Sequence, residues 1–166
     1  MKPIRALVII LLITTSCCAQ DDFKQLFLHS DSIIIIHHKE PIRLKPKGYP
    51  DTVVVDDSIK KYSELIIDNS FNNNLVISKL ALNKQQHAEL VSIINGTYSD
   101  SIITSPCWRP KHTIEIYLNG KKSYFTICFE CYYARFIDGN HAPMEILPKE
   151  MWAALKAYLI KYRIFE

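Results

Sequence analysis

Apolar residues along this chain gather into short runs, some at helical spacing and some alternating or continuous. Residues 22–29 place Phe23, Leu26 and Phe27 on one side of an otherwise polar stretch, which predicts a short amphipathic helix. It leads into Ser32-Ile33-Ile34-Ile35-Ile36-His37-His38, where four successive β-branched residues predict a buried strand. Residues 39–51 carry Pro41, Pro46, Gly48 and Pro50, a density of breakers that predicts a loop. A short strand is expected at 52–55, an extended stretch at 62–67, a turn at Asn72-Asn73-Asn74 and a further strand at 75–80.

Two longer helices follow from their end signals. Asn83 is placed to cap, Gln86 stands three residues on to complete a capping box, and Leu90, Val91 and Ile94 line one face before Asn95 and Gly96. Pro148 suits the first position of the last helix, where a missing N–H costs nothing. Trp152, Leu155, Leu159 and Tyr162 then keep helical spacing toward Arg163.

Between these helices, two alternating runs flank Asn119-Gly120, a pair that tolerates the positive φ of a two-residue hairpin turn. If those two residues form the loop, Ile114 faces Phe125, His112 faces Ile127, Thr113 faces Thr126 and Glu115 faces Tyr124. Facing pairs share a side of the sheet. His112, Ile114, Ile116, Phe125, Ile127 and Phe129 are therefore expected on the buried side. Lys111, Thr113, Glu115, Tyr124, Thr126 and Cys128 lie opposite. Continued outward to residue 137, the same register sets Arg109 against Glu130 and Trp108 against Cys131. Strands and helices do not alternate strictly, so the expected class is α+β: an antiparallel sheet containing the Asn-Gly hairpin, with two main helices packed on it.

The amino-terminal stretch has a different character. Lys2 and Arg5 precede an unbroken apolar run from Ala6 to Ile13, followed by Thr14, Thr15, Ser16, Cys17, Cys18 and Ala19. This predicts a signal peptide over 1–19, too short to be a spanning anchor. Thr-Thr-Ser-Cys resembles a degenerate bacterial lipobox that would make Cys17 a lipidated N-terminus, although Thr14 is a poor residue at its minus-three position. Cleavage after Ala19, leaving Gln20 first, is the alternative. Either cut removes Lys2 and Arg5, leaving 18 cations against 17 anions, which argues against a nucleic-acid partner. Residues 20–166 have the length and apolar share, within a chain that is 48% apolar and 22% charged, of one domain that needs neither metal nor disulfide for a core.

Export changes the meaning of the cysteines, because thiols outside the cytoplasm tend to be oxidised. Cys107 falls diagonal to Cys131 in the extended register, and a bulge at Pro106 or Pro110 would exchange Cys131 for Cys128. A disulfide from Cys107 to one of them is the leading expectation. The alternative is a zinc or iron site using Cys107, His112, Cys128, Cys131 and His141, or thiol redox chemistry at the Cys-x-x-Cys pair. Against redox work, the flanking residues are strand formers, whereas thioredoxin-like pairs sit at a helix N-terminus.

The order of Ile77-Ser78-Lys79, the helix over 82–94, Cys107 with Pro110 and His112, and Ile127-Cys128-Phe129-Glu130-Cys131 resembles a group of small exported bacterial proteins. These uncharacterised proteins carry a Cys-x-x-Pro-x-His segment and a Cys-Phe-x-Cys strand. The resemblance covers about residues 75–135; it implies that the cysteine segment is a family feature and implies no reaction.

Other candidates have simpler readings. His37 and His38, adjacent on a strand, point to opposite faces and are expected near solvent at its end. His87 is expected to be exposed on its helix, and His112 to be a hydrogen-bonded core or edge histidine. Tyr117, Tyr124, Tyr132, Tyr133 and Trp108 are expected to pack beneath a helix in preference to forming a binding face. The chain has no Gly-x-Ser-x-Gly, no His-Glu-x-x-His and no phosphate loop. The expectation is an exported envelope protein, periplasmic or tethered to a membrane through Cys17. It is read as a non-catalytic binding or structural module without a resident cofactor.

Overall fold

A computed structural model describes residues 22–41, 64–99, 108–138 and 144–165. The leader, the expected strand at 52–55, most of the proline-rich loop, and Cys17, Cys107 and His141 lie outside those residues.

The elements run α1 (Asp22–His29), β1 (Ser32–His38), β2 (Ile66–Ile67), β3 (Ser70–Phe71), a 3-10 turn at Asn73–Leu75, β4 (Val76–Ala81), α2 (Lys84–Ile94), β5 (His112–Leu118), β6 (Lys121–Cys128), β7 (Tyr133–Ile137), β8 (Met144–Ile146) and α3 (Lys149–Lys161). Six strands form one antiparallel sheet in the order β4-β1-β5-β6-β7-β8, and β2 and β3 pair as a separate hairpin. The fold is α+β. Among the described residues no helix is long and apolar enough to cross a membrane.

The isoleucine run explains the place of β1. Ile33 and Ile35 join the cluster under the helices, while Ile34 and Ile36 meet a second cluster on the other side. A strand buried on both faces carries a continuous apolar run in place of an alternating one. Between β5 and β6, Asn119 and Gly120 take φ of 51° and 74°, and Leu118 stands opposite Lys121. Ile114 faces Phe125, His112 faces Ile127, Thr113 faces Thr126 and Glu115 faces Tyr124, the pairs expected above.

The helices cover the first face. Phe23 and Phe27 of α1 pack on Phe125 of β6, the first stacked at 5.5 Å and the second edge-on at 5.6 Å. Burying each such ring contributes roughly 1.5–3 kcal/mol, and Phe125→Ala would cost about 3–5 kcal/mol. Asn83 and Gln86 exchange both bonds of the capping box, at 3.0 and 2.9 Å, and Leu90 and Ile94 turn inward. Pro148 stands just outside α3, not at its first position: its ψ of 145° is extended, and its carbonyl accepts the Trp152 N–H at 3.1 Å. Met151, Trp152, Leu155, Tyr158 and Leu159 complete the core.

The hairpin arm departs from expectation at its far end. Instead of running on to residue 137, β6 stops at Cys128; residues 129–132 turn and β7 folds back, with Tyr133 opposite Cys128 and Ile137 opposite Tyr124. The expected pairings of Arg109 with Glu130 and of Trp108 with Cys131 therefore do not form. The second face also differs, because Thr113, Glu115, Tyr124, Thr126 and Cys128 are all buried. Phe71 and Leu75 pack over part of it beside Ile36 and Tyr124.

Candidate functional site

The corner between β6 and β7 gathers the residues of chemical interest. The N–H groups of Cys131 and Tyr132 both donate to the Cys128 carbonyl, at 3.3 and 3.0 Å, and Tyr132 takes φ of 59°. That tight reversal brings the Cys128 and Cys131 Cα atoms to 5.4 Å, and a disulfide joins them. Both cysteines are fully buried, and the Arg109 N–H donates to Cys128 Sγ at 3.3 Å. The expected bridge from Cys107 to one of this pair is thus replaced by a bond within the pair. The reason is the turn, which an extrapolated straight strand omits.

Of the residues named for a metal, Cys107 and His141 lie outside the described residues, and His112 does not converge with the Cys128–Cys131 pair. Cys128 stands opposite Tyr133 on the second face, whereas His112 stands opposite Ile127 on the helix face. His112 is already engaged: its Nε2–H donates to the Ile164 carbonyl at 3.0 Å, Phe165 stacks on it at 5.0 Å, and His37 stacks on it at 5.0 Å. Burial, then the neighbouring His37, pushes His112 down to about 4, so the ring is neutral at pH 7. Among the described residues no three His, Cys, Asp or Glu side chains are grouped to hold a metal ion.

His37 and His38 do point to opposite faces, but both are buried and not near solvent as expected, because β1 is an interior strand. His38 Nδ1 lies 2.9 Å from the Lys39 carbonyl, which can only accept, so Nδ1 carries the hydrogen. Nε2 is then an acceptor for the Thr113 hydroxyl at 3.1 Å. Thr113, having given its one hydrogen, accepts from Thr126 at 3.1 Å. The polarity of this chain across three strands is fixed. Desolvation by burial is what pushes His38 down to about 4.

A serine–histidine contact also appears that the sequence did not suggest. His87 is half-buried, not exposed, with Nε2 2.9 Å from Ser30 Oγ and 3.3 Å from the Phe27 carbonyl. Ser30 Oγ donates to that same carbonyl at 2.9 Å. With the serine hydrogen on that carbonyl, His87 Nε2–H is the donor to both oxygens. The pair ties α2 to the end of α1.

The aromatics divide between the faces. Tyr132 packs edge-on against Trp152 of α3, as expected of residues beneath a helix. Tyr117 and Tyr124 serve the other face: Tyr117 donates to buried Glu115 at 2.6 Å, Lys122 pairs with Glu115 at 3.4 Å, and Tyr124 donates to the Asn69 carbonyl at 2.9 Å. Burial, then the Glu115 charge, holds Tyr124 up at about 12, where it stays a donor.

At the corner, the Arg135 guanidinium lies over Trp108, 5.2 Å from the ring centroid. Its Nε is buried without a hydrogen-bond partner. An unmatched buried donor costs about 1–3 kcal/mol, and more on a charged group. Arg135 was not among the candidates read from the sequence. The alternation of Tyr133, Arg135 and Ile137 would have placed it on the second face had the break at 129–132 been known.

The chain matches no protein-family model, no curated protein and no solved structure.

Proposed function

We propose that the chain is an exported protein of the bacterial cell envelope and works there as a non-catalytic binding or structural module. The observation that carries this reading is the Cys128–Cys131 disulfide, a bond that persists in oxidising compartments. The leader-like 1–19 stretch supports it, as does the resemblance to small exported bacterial proteins through Cys107-x-x-Pro110-x-His112 and Cys128-Phe-x-Cys131. The neutral, hydrogen-bonded states of His38 and His112 fit a scaffold better than a proton-transfer site. Lipidation of Cys17 would tether the domain to a membrane, each buried CH₂ of an acyl chain contributing about 0.8 kcal/mol.

The test is to express the full chain in a bacterium and fractionate the cells. Export reads as loss of the leader and recovery in the periplasm or the membrane pellet, with Cys17→Ser abolishing detergent partitioning. Full-length protein retained in the cytoplasm overturns the reading. Release of the Cys17→Ser variant like the parent, with Gln20 first, overturns the lipid anchor alone.

A thiol-based reading is the second. It is favoured by the Cys-x-x-Cys spacing and by the Arg109 amide on Cys128 Sγ, a contact that would stabilise a thiolate after reduction. Metal analysis of untagged protein beside a thiol count in denaturant separates the two. Stoichiometric zinc or iron without a disulfide favours the thiol reading, and an intact disulfide without metal favours the module.

A further inference from the structure

We propose that Arg135 anchors a carboxylate-binding site on the second face of the sheet at the β6–β7 corner. Its ligand is a small molecule carrying a carboxylate beside an apolar or aromatic group. The inference rests on the binding-module reading and names where such a module would bind and what.

Arg135 projects from β7 on the same face as Thr126, its partner across the ladder. The Trp108 ring lies 5.2 Å from the guanidinium carbon. Stacking occupies the flat face of a guanidinium and leaves its N–H edge for bonds in the plane. Of that edge, Nε is buried and has no acceptor. Thr126 has spent its hydroxyl hydrogen on Thr113, and its oxygen does not take up the Nε–H.

The carboxylates among the described residues do not fill the role. Among the described residues, Glu40 pairs with Arg109, Glu130 with Lys111, Glu115 with Lys122 and Glu89 with Lys161. At this corner Arg109 and Lys111 thus have counter-charges, whereas among the described residues Arg135 pairs with no carboxylate and keeps its positive charge as a surplus. A monoanion matches that surplus, and the planar fork of an arginine edge matches the planar carboxylate.

The body of the ligand is set by what stands beside the anchor. Tyr133 is the next residue on this face of β7, and it pairs across the ladder with Ile146 of β8. Tyr133 is half-buried, and Ile146 is 45% exposed on a strand at the edge of the sheet. An apolar or aromatic group next to the carboxylate would cover both.

The experiment titrates the mature, disulfide-intact chain with N-acetyl-L-phenylalanine, with its carboxamide and with phenyl phosphate. Heat of binding and the amide resonances of β7 are followed together. The acid is expected to saturate one site and shift Arg135 and its neighbours, with the carboxamide at least about tenfold weaker because it lacks the charge. Arg135→Lys keeps the charge and loses the fork, and should weaken the acid by about tenfold or more. The comparison of acid with carboxamide on the unaltered chain decides the matter even if that variant fails to fold. Equal binding of acid and carboxamide, no binding of the acid, or undiminished binding by a folded Arg135→Lys overturns the site. Tighter binding of phenyl phosphate overturns the carboxylate assignment. A chain that is exported but fails these titrations loses only this site, whereas cytoplasmic retention removes the envelope reading itself.

Discussion

The His38 imidazole and the Thr113 hydroxyl meet 3.1 Å apart in a layer where neither residue has exposed surface. Because His38 Nδ1 gives its hydrogen to the Lys39 carbonyl, Thr113 must donate to Nε2 and accept from Thr126. Removing the middle hydroxyl leaves an unfilled acceptor on one side and a donor without a partner on the other. Thr113→Val keeps the shape and should lower stability by about 2–4 kcal/mol, read as a fall in the urea midpoint at unchanged slope. Adding Thr126→Val should cost less than the two single changes summed, since the second change removes a group already unpaired. Strict additivity would show that the hydroxyls are not coupled.

Burial pushes His38 and His112 down to about 4, with the charge of His37 adding to the effect on both. In the unfolded chain each should titrate near about 6.5. Between those values the unfolded state takes up protons that the folded state refuses. Stability from this source is therefore complete above about pH 6.5, and as pH falls to about 4 it is lost at up to about 1.4 kcal/mol per pH unit per histidine. Urea midpoints across that window should decline steadily, and His112→Phe should flatten the slope. A level profile would mean the rings are not held neutral in the folded protein.

Trypsin offers a direct reading of the disulfide. Residues 123–135 form one peptide containing both Cys128 and Cys131, and Cys107 belongs to the separate peptide 85–111. Without reduction, the 123–135 peptide should run alone and weigh less by two hydrogens. A cross-linked pair of peptides would instead establish a Cys107 bridge. Closing so short a loop stabilises the fold by only about 2 kcal/mol in the chain-entropy account, so the Cys128→Ser, Cys131→Ser double variant should fold with a lowered melting temperature.

Gly120 holds φ of 74°, and an added Cβ there would meet nothing within 4 Å. Any penalty from substitution is therefore one of backbone conformation alone. Gly120→Ala should cost about 1–2 kcal/mol. Gly96 is the opposite case, since a Cβ would come within 2.8 Å of the Tyr98 ring, whose hydroxyl donates to the Ile93 carbonyl at 2.6 Å. Gly96→Ala should act by displacing Tyr98, visible as a changed tyrosine environment that Gly120→Ala leaves untouched.

Short-range physics made several elements legible from the chain. Asn119 and Gly120 accept positive φ at little cost, so the residue pairs of β5 and β6 follow from the turn alone. The capping box at Asn83 and Gln86 and the apolar spacing of α2 and α3 are equally local, since each involves residues within a turn or two of one another.

Other features depended on parts of the chain that sequence distance hides. Phe129 and Tyr132 have strand-like neighbours, yet the arm breaks between them because their rings pack on Trp152 of α3 while the cysteines on either side of Phe129 close the turn. The burial of His37 and His38 follows from β1 lying between β4 and β5, strands drawn from 38 or more residues further along the chain. Alternation placed His112 on the buried face, but only the return of the C-terminal segment supplies the Ile164 carbonyl that accepts its hydrogen. The second face follows the same rule. Its residues were expected opposite the buried side, but Phe71 and Leu75 pack over part of it, and burial then requires each hydroxyl and imidazole to find a partner on a neighbouring strand. Local patterning determined the β5–β6 hairpin, the capped helix α2 and the side their residues take; tertiary packing decided where the arm breaks and what covers each side, because burial is a property of the assembled layers.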